Sequence, residues 1–132
     1  FQWLADRWPD RRWYRYRYAV ALGLAGQYRD SLRLLQVMHE EGPASALICA
    51  KIGFAHLQLR DAALAAQYFS EALLLDAFEP QALYHMARLR AIEGDLDRAE
   101  KYLERLRQVD DTERQVEDLE RMMYGPGIGN NQ

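Results

Sequence analysis

Cysteine and lysine are scarce in this sequence, and long apolar runs are missing. The single cysteine, Cys49, cannot form an internal disulfide and excludes a metal site built from several cysteines. No apolar run is long enough to span a bilayer, and the N-terminus lacks the pattern of a secretion signal. Lys51 and Lys101 are the only lysines among 17 basic residues. This arginine bias favours a bacterial origin, and the cysteine content leaves cytoplasm and periplasm both open.

Excess positive charge is also absent. The 132 residues carry a net charge of −3, 49% are apolar and 28% are charged, which is typical of a soluble folded chain. Residues 1–45 hold seven arginines against five acids, but the remainder is acidic. A protein that binds phosphate backbones is usually more basic overall.

Similar side chains return at a constant interval along the chain. One series of small residues consists of Ala19, Gly53 and Ala87. A second series, with the same spacing, consists of Ser31, Ala65 and Ala99. Large apolar side chains follow the second series by four positions, at Leu35, Phe69 and Leu103. Such a period indicates a repeat architecture, in which each unit buries its apolar face against the next.

This pattern resembles the tetratricopeptide repeat, with three full units at 12–45, 46–79 and 80–113. The resemblance implies an all-α fold, an α-α superhelix of antiparallel hairpins with a right-handed twist. It also implies a concave groove lined by the first helix of each hairpin. Arg60 stands where the family has a glycine between the two helices of the second unit, so we expect that turn to differ.

The leading segment, residues 1–11, fits the end of a repeat's second helix. The sequence begins with Phe1 rather than methionine, so we expect a longer parent protein with at least one more hairpin or helical domain upstream. A short leading helix that caps the stack is the alternative. Phe1, Trp3 and Trp8 are candidates for self-association if no upstream hairpin covers them.

The C-terminal region predicts a capping helix over 114–124 and a disordered tail over 125–132. Thr112 and Gln115 have the spacing of a capping box. An apolar stripe is formed by Val116, Leu119, Met122 and Met123. The opposite face, expected to meet water, carries Glu117, Asp118 and Arg121.

The groove is the candidate binding site. The family's groove positions correspond here to Trp13, Tyr16, Arg17, Val20, Leu47, Lys51, Phe54, Gln58, Tyr84, His85 and Arg88, together with Leu24, Gln81 and Ile92. They form an aromatic floor and a cationic row of Arg17, Lys51 and Arg88, with no acid among them. Exposed aromatic and arginine side chains often dominate protein binding.

The sequence predicts neither catalysis nor a cofactor. The three histidines, His39, His56 and His85, have no helical metal-site spacing, and Cys49 lies at a packing position. No phosphate-binding loop or nucleophile elbow is present. The family's carboxylate clamp for chaperone tails is missing too, because the clamp positions hold Tyr16, Val20, Lys51, Gln81 and His85.

The leading hypothesis is a non-catalytic scaffold or adaptor that binds a partner segment in its groove. The partner segment would offer apolar and acidic residues. The resemblance implies a larger bacterial protein in envelope assembly or secretion. One alternative is a secretion chaperone like those of type III systems, because similar three-repeat proteins cradle translocator subunits.

A nucleic-acid-binding module is the alternative from another class. The segment 11–18 interleaves arginine with aromatic residues, which can stack on bases and neutralise phosphates. On a helix, however, Tyr14, Tyr18 and Leu22 fall on one stripe suited to packing. Arg12 and Arg15 would then be solvated or lie over apolar neighbours. Protein binding is therefore the favoured interpretation.

Overall fold

The computed structural model describes residues 10–125, whose regular secondary structure is entirely helical. The seven helices are α1 Asp10–Leu24, α2 Tyr28–Glu41, α3 Ala46–Gln58, α4 Ala62–Leu75, α5 Pro80–Ile92, α6 Leu96–Arg107 and α7 Glu113–Tyr124. None of these helices is long and apolar enough to cross a membrane. The interpretations of residues 1–9 and 126–132 lie outside the described part of the chain.

Consecutive helices form three hairpins, α1–α2, α3–α4 and α5–α6, which stack in sequence order. Helix α7 follows the third hairpin and packs against both of its helices. The all-α repeat fold is thus confirmed. Asp10 and Arg11, which the sequence interpretation places in the leading segment, are part of α1.

Helix N-termini are capped at the same points of successive repeats. The Ser45 hydroxyl accepts a hydrogen bond from the amide of Ile48, and at the equivalent position of the next repeat the Glu79 carboxylate accepts one from Ala82. The second helices of two repeats use Asp61 and Asp95 in the same way. A side-chain acceptor at this position satisfies one of the free amides of the first turn. The spacing of these caps, together with the apolar period, therefore determines where the helices begin.

The turns inside the three hairpins are alike, contrary to the expectation for Arg60. Gly26, Arg60 and Gly94 have φ angles of 83°, 70° and 86°. In each turn, the following amide donates to the carbonyl five residues earlier, as Asp61 does to His56. This is the hydrogen-bond pattern of a left-handed helix end, which glycine adopts most readily. Arginine adopts the conformation here because the stack on either side dictates the same turn.

The recurring small residues lie where paired helices meet. All of them are buried, as are the large apolar residues of the third series. At Gly53 the helices approach so closely that an added Cβ would lie 2.8 Å from the ring of Phe69. Phe69 is itself fully buried. The sequence period therefore records real contacts between helices.

Three apolar clusters follow one another along the stack. The first is formed by Ala19, Leu35, Met38, Ile48 and Ile52. The second contains Cys49, Ala50, Ala65, Phe69, Ala72, Ala82 and Met86. The third contains Leu83, Ala87, Ala99, Leu103, Leu106, Leu119 and Met123. Each cluster includes residues from adjacent units, so the hairpins share their cores with their neighbours.

Helix α7 is joined to α6 by side chains that the capping-box hypothesis does not explain. The Thr112 hydroxyl donates to the carbonyls of Leu106 and Val109 and makes no cap bond to its own helix, so that hypothesis is wrong. Thr112 is buried beneath the C-terminal end of α6. The Arg107 guanidinium of α6 also reaches Glu120 of α7 at 2.9 Å.

The apolar stripe of α7 is mostly as expected. Leu119 and Met123 are buried, and Val116 packs against the third cluster. Met122 is instead 37% exposed, because it lies beside the stripe and not on it.

We predict that Gly53→Ala lowers the free energy of unfolding by up to about 2 kcal/mol. The substitution improves helix propensity by about 1 kcal/mol, but it forces a methyl group into a buried ring, and overpacking costs about 1–3 kcal/mol. Gly23→Ala is the matched control, because its Cβ would make an ordinary 3.5 Å contact with the Ser31 hydroxyl. Urea denaturation should show that variant to be as stable as the parent or more so. An equal increase in the free energy of unfolding for both variants would contradict the close contact between Gly53 and Phe69.

Candidate functional site

A cavity of about 700 Å³ opens on the side of the stack formed by α1, α3, α5 and α7. We call it the groove cavity. Four of the predicted groove residues line it: Lys51, Phe54, Tyr84 and His85. Leu24 and Gln81 line it as well. The remaining lining residues are Pro80, Asp110, Asp111, Thr112, Arg114, Gln115, Glu117, Asp118 and Arg121.

The other predicted groove residues are not gathered into that cavity. Trp13, Tyr16 and Leu47 line a separate hollow of about 200 Å³ between the first helices of units one and two. Val20 lines a small hollow of about 60 Å³ next to Phe54. Arg17, Gln58 and Arg88 line none of these three cavities. The predicted surface is therefore divided, and the larger part lies towards the C-terminal half of the stack.

An aromatic cluster around His85 forms the floor of the groove cavity. The imidazole stacks on Phe69, with ring centroids 5.2 Å apart, and meets Phe54 at 5.6 Å and Tyr84 at 5.1 Å. Burial, with smaller contributions from Arg88 and Lys51, lowers the pKa of His85 to about 4. The ring is therefore neutral at physiological pH and presents an apolar, polarisable surface.

The predicted cationic row has acidic partners on its C-terminal side. Asp118 of α7 accepts a hydrogen bond from the Tyr84 hydroxyl and lies 3.5 Å from the Arg88 guanidinium. Burial together with Asp118 raises the pKa of Tyr84 above its ordinary value. Arg88 is thus already paired, with an acid that lies outside the predicted groove positions.

Lys51 shares its surroundings with the buried carboxylate of Glu79. Burial lowers the pKa of Lys51, and the nearby Glu79 offsets part of that effect. Burial likewise raises the pKa of Glu79, although its bond from the Ala82 amide and the Lys51 charge oppose the shift. Arg17, the third member of the row, lies over the Trp13 ring at 6.0 Å. The groove side therefore carries charges of both signs.

Helix α7 supplies a wall of the groove cavity that the sequence interpretation assigned to solvent. Glu117, Asp118 and Arg121 line the cavity along with Gln115. The sequence repeat could have predicted this wall, because Gln115 and Asp118 lie one full repeat after the groove positions of Gln81 and Tyr84. Helix α7 thus occupies the place of a first helix in a fourth unit.

The arginines of the 11–18 segment serve partly to hold α1 in place. Arg12 donates to the carbonyls of Met38, Gly42 and Pro43 at the end of α2. Arg15 forms a 2.7 Å ion pair with Glu41 in the same region. Cationic groups commonly satisfy the free carbonyls of a helix C-terminus. The expectation that Arg12 and Arg15 are merely solvated or lie over apolar neighbours is therefore wrong.

Tyr14 and Tyr18 do not form the packing stripe that their spacing suggested, because they are 64% and 62% exposed. The buried side of α1 runs through Arg12, Tyr16 and Ala19 instead. The Ser31 hydroxyl donates to the carbonyl of Ala19 there and fixes the rotation of α1 against α2.

Cys49, His39 and Glu71 come together outside the groove cavity. The Cys49 thiol donates to Glu71 Oε2 at 3.1 Å, and His39 Nε2 lies 2.9 Å from the same oxygen. Burial and the Glu71 carboxylate raise the pKa of the Cys49 thiol to about 12. The buried thiol expected from the sequence is confirmed, and a protonated thiol is a poor nucleophile.

Comparisons with known proteins show the fold. No family model and no curated protein matches the chain. PcrH of Pseudomonas aeruginosa, solved in complex with the chaperone binding region of PopB, has a TM-score of 0.76 at 23% identity, over 87% of this chain and 96% of its own. The chain shares the fold of PcrH.

A second structure supports the same conclusion about the fold. The Yersinia enterocolitica type III secretion translocator chaperone SycD has a TM-score of 0.76 at 19% identity, over 91% of this chain and 92% of its own. Its alternative dimer gives 0.78 at 18% identity, over 95% and 98%. Because the likeness extends over nearly the whole of each chain, it includes the stack and α7 together.

We predict that His85 makes stability depend on pH in the acid range. The folded chain holds its pKa near 4, below the ordinary 6.5, so the unfolded chain binds this proton more readily. The stabilisation is complete above about pH 6.5 and is lost as the pH falls towards about 4, with a total of about 3 kcal/mol.

The comparison of the parent chain with His85→Gln isolates this effect. Urea denaturation between these pH values should show that the difference in free energy of unfolding between the two proteins shrinks on acidification. Other titrating groups, such as Glu79, are common to both proteins and cancel. A difference that stays constant with pH would show that His85 is not held neutral by burial.

Proposed function

We propose that this chain is a non-catalytic secretion chaperone that binds a segment of a partner protein in the groove cavity. The observation that carries the proposal is the cavity itself, an open concave surface of about 700 Å³ with an aromatic floor and polar walls. Concave sites lined by apolar groups with a few convergent polar groups are the usual places of ligand binding. PcrH, which shares the fold, has been solved with a chaperone binding region of PopB.

The chemistry of the cavity suits a segment that carries apolar side chains and whose main chain needs polar partners. Phe54 and Tyr84 offer aromatic surface to apolar side chains of the partner. Gln81 of α5 and Gln115 of α7 both line the cavity, and each side-chain amide can both donate and accept hydrogen bonds. A peptide main chain needs both kinds of partner, since its amides and carbonyls must be satisfied when they leave water.

The charges of the groove cavity discriminate between partner segments less strongly than the sequence interpretation expects. Arg88 is paired with Asp118, and the walls add the acids Asp110 and Glu117. The wall also contains Arg114 and Arg121, so basic and acidic side chains of a partner would each find a complement. We therefore infer that the apolar anchors, and not a run of acidic residues, dominate the affinity.

A binding role agrees better with the cavity's chemistry than an enzymatic one. His85 is neutral and lies under aromatic rings, and the buried thiol of Cys49 lies outside the cavity. Nucleophilic catalysis needs a nucleophile and a base within hydrogen-bond reach of each other in the site. In the lining of the groove cavity the Tyr84 hydroxyl donates to Asp118, but burial and Asp118 raise the pKa of Tyr84, which disfavours the phenolate that would act as nucleophile.

Among the earlier hypotheses, the chaperone fits better than a scaffold within an envelope-assembly protein. The fold matches chaperone structures over nearly their full lengths, whereas nothing observed favours envelope assembly. Nucleic-acid binding loses support because Arg12 and Arg15 are engaged at the end of α2. Self-association through Phe1, Trp3 and Trp8 remains a prediction, since those residues lie outside the described range.

The direct test is to block the groove cavity without disturbing the core. Gln115→Trp places a large side chain in the cavity from an exposed position of α7. Peptides selected from a phage-displayed random library on the parent chain should bind this variant at least about tenfold more weakly, a loss of about 1.4 kcal/mol. Fluorescence polarisation with the labelled synthetic peptides measures the dissociation constants.

The matched control is Gln67→Trp on α4, another exposed glutamine, which does not line the cavity. Its affinity should equal that of the parent chain. Failure of the library to yield any binding peptide, or selected peptides that bind Gln115→Trp as tightly as Gln67→Trp, would rule out the groove cavity as the site.

A further inference from the structure

We propose that His39, Cys49 and Glu71 form a binding site for a divalent metal ion of the Zn²⁺ class. One ligand atom from each side chain lies within 4.8 Å of the other two. The three residue types are those that Zn²⁺ prefers, through imidazole nitrogen, thiolate sulfur and carboxylate oxygen. None of them lines the groove cavity, so the site is separate from the proposed partner-binding surface.

The distances from Glu71 to the other two donors are close to those of a tetrahedral site. Zn–N and Zn–O bonds of about 2.0 Å and a Zn–S bond of about 2.3 Å place neighbouring ligand atoms roughly 3.3–3.6 Å apart. Glu71 Oε2 lies 2.9 Å from His39 Nε2 and 3.1 Å from Cys49 Sγ. Cys49 Sγ lies 3.9 Å from His39 Nδ1, and the three ligand atoms all lie within 4.8 Å of one another. Binding would therefore move Glu71 away from the other two donors by a few tenths of an ångström and bring the thiol and the imidazole closer together.

The three ligands come from three helices that the stack already holds in position. His39 lies near the end of α2, Cys49 in the first half of α3, and Glu71 in the second half of α4. The thiol is fully buried in the second apolar cluster, while His39 also packs edge-on against Tyr68 with ring centroids 6.0 Å apart. Binding would thus link the first hairpin to the second.

Charge balance and access also favour the ion. A thiolate and a carboxylate together neutralise a divalent cation, and the imidazole binds in its neutral form. Binding releases the thiol proton to solvent as the metal–sulfur bond forms, with no change of oxidation state. The Glu71 side chain is 44% exposed and that of His39 is 24% exposed, so the ion has an entry path and water can occupy a fourth position.

The test uses the full chain without a polyhistidine tag, stripped of metal and kept reduced. Titration with Co²⁺, a coloured substitute for Zn²⁺, should show one equivalent bound and a thiolate-to-cobalt charge-transfer band that Zn²⁺ abolishes by competition. Saturating Zn²⁺, about a hundredfold above its Kd, should raise Tm by roughly 8 °C.

Single substitutions of the ligands separate this site from adventitious binding. Cys49→Ser should abolish the charge-transfer band, and Glu71→Gln and His39→Gln should each weaken Zn²⁺ binding by at least about tenfold. Glu40→Gln is the matched control, because Glu40 is an exposed neighbour of His39 outside the cluster. It should bind as the parent chain does.

Two results would overturn the proposal. One is the absence of a charge-transfer band and of a Zn²⁺-dependent rise in Tm in the parent chain. The other is Zn²⁺ affinity in Glu71→Gln equal to that in Glu40→Gln. If Cys49→Ser does not fold, as judged by circular dichroism, the exposed Glu71 position still decides the question. The outcome is independent of whether the groove cavity binds peptides.

Discussion

Within the second hairpin, α3 and α4 approach until no side chain fits between them at Gly53, where an added Cβ would lie 2.8 Å from the Phe69 ring. Equivalent positions in the neighbouring hairpins hold the buried small residues Ala19 and Ala87. Close approach of the paired helices brings the large residue four positions after the second small one into the space between units. The fully buried side chain of Phe69 fills that space in the middle of the stack. The groove cavity depends on this close approach of the paired helices.

The groove cavity follows from the same constraint. Because the small residues hold each pair of helices together on one side, the first helices α1, α3, α5 and α7 share the other side and line a common hollow. Polar contacts then determine the details of that hollow. The buried Glu79 caps α5 beside Lys51. The hydrogen bond from Tyr84 to Asp118 connects α5 to α7. Helix α7 is thereby both the end of the apolar stack and a wall of the site, a combination that suits recognition of an extended chain.

The sequence predicted the fold well because its period arises from contacts that every repeat must make. It predicted the site less well, since charge pairing depends on side chains far apart in sequence. The repeat period places Asp118 on the groove side, but its bond to Tyr84 needs the coordinates. The same limit applies to the Cys49–Glu71 contact across two helices. Arg60 shows the opposite case, in which the stack imposes a turn that the local residue disfavours.

A double-mutant cycle between Gly53→Ala and Phe69→Leu tests the central contact most directly. Measured by urea denaturation, Gly53→Ala should destabilise the chain by at least about 1 kcal/mol less when Phe69→Leu has removed the ring that the new methyl group meets. The two substitutions would then be strongly coupled, as expected for side chains in direct contact. Additivity within about 0.5 kcal/mol would contradict the claim that the helices meet at this point.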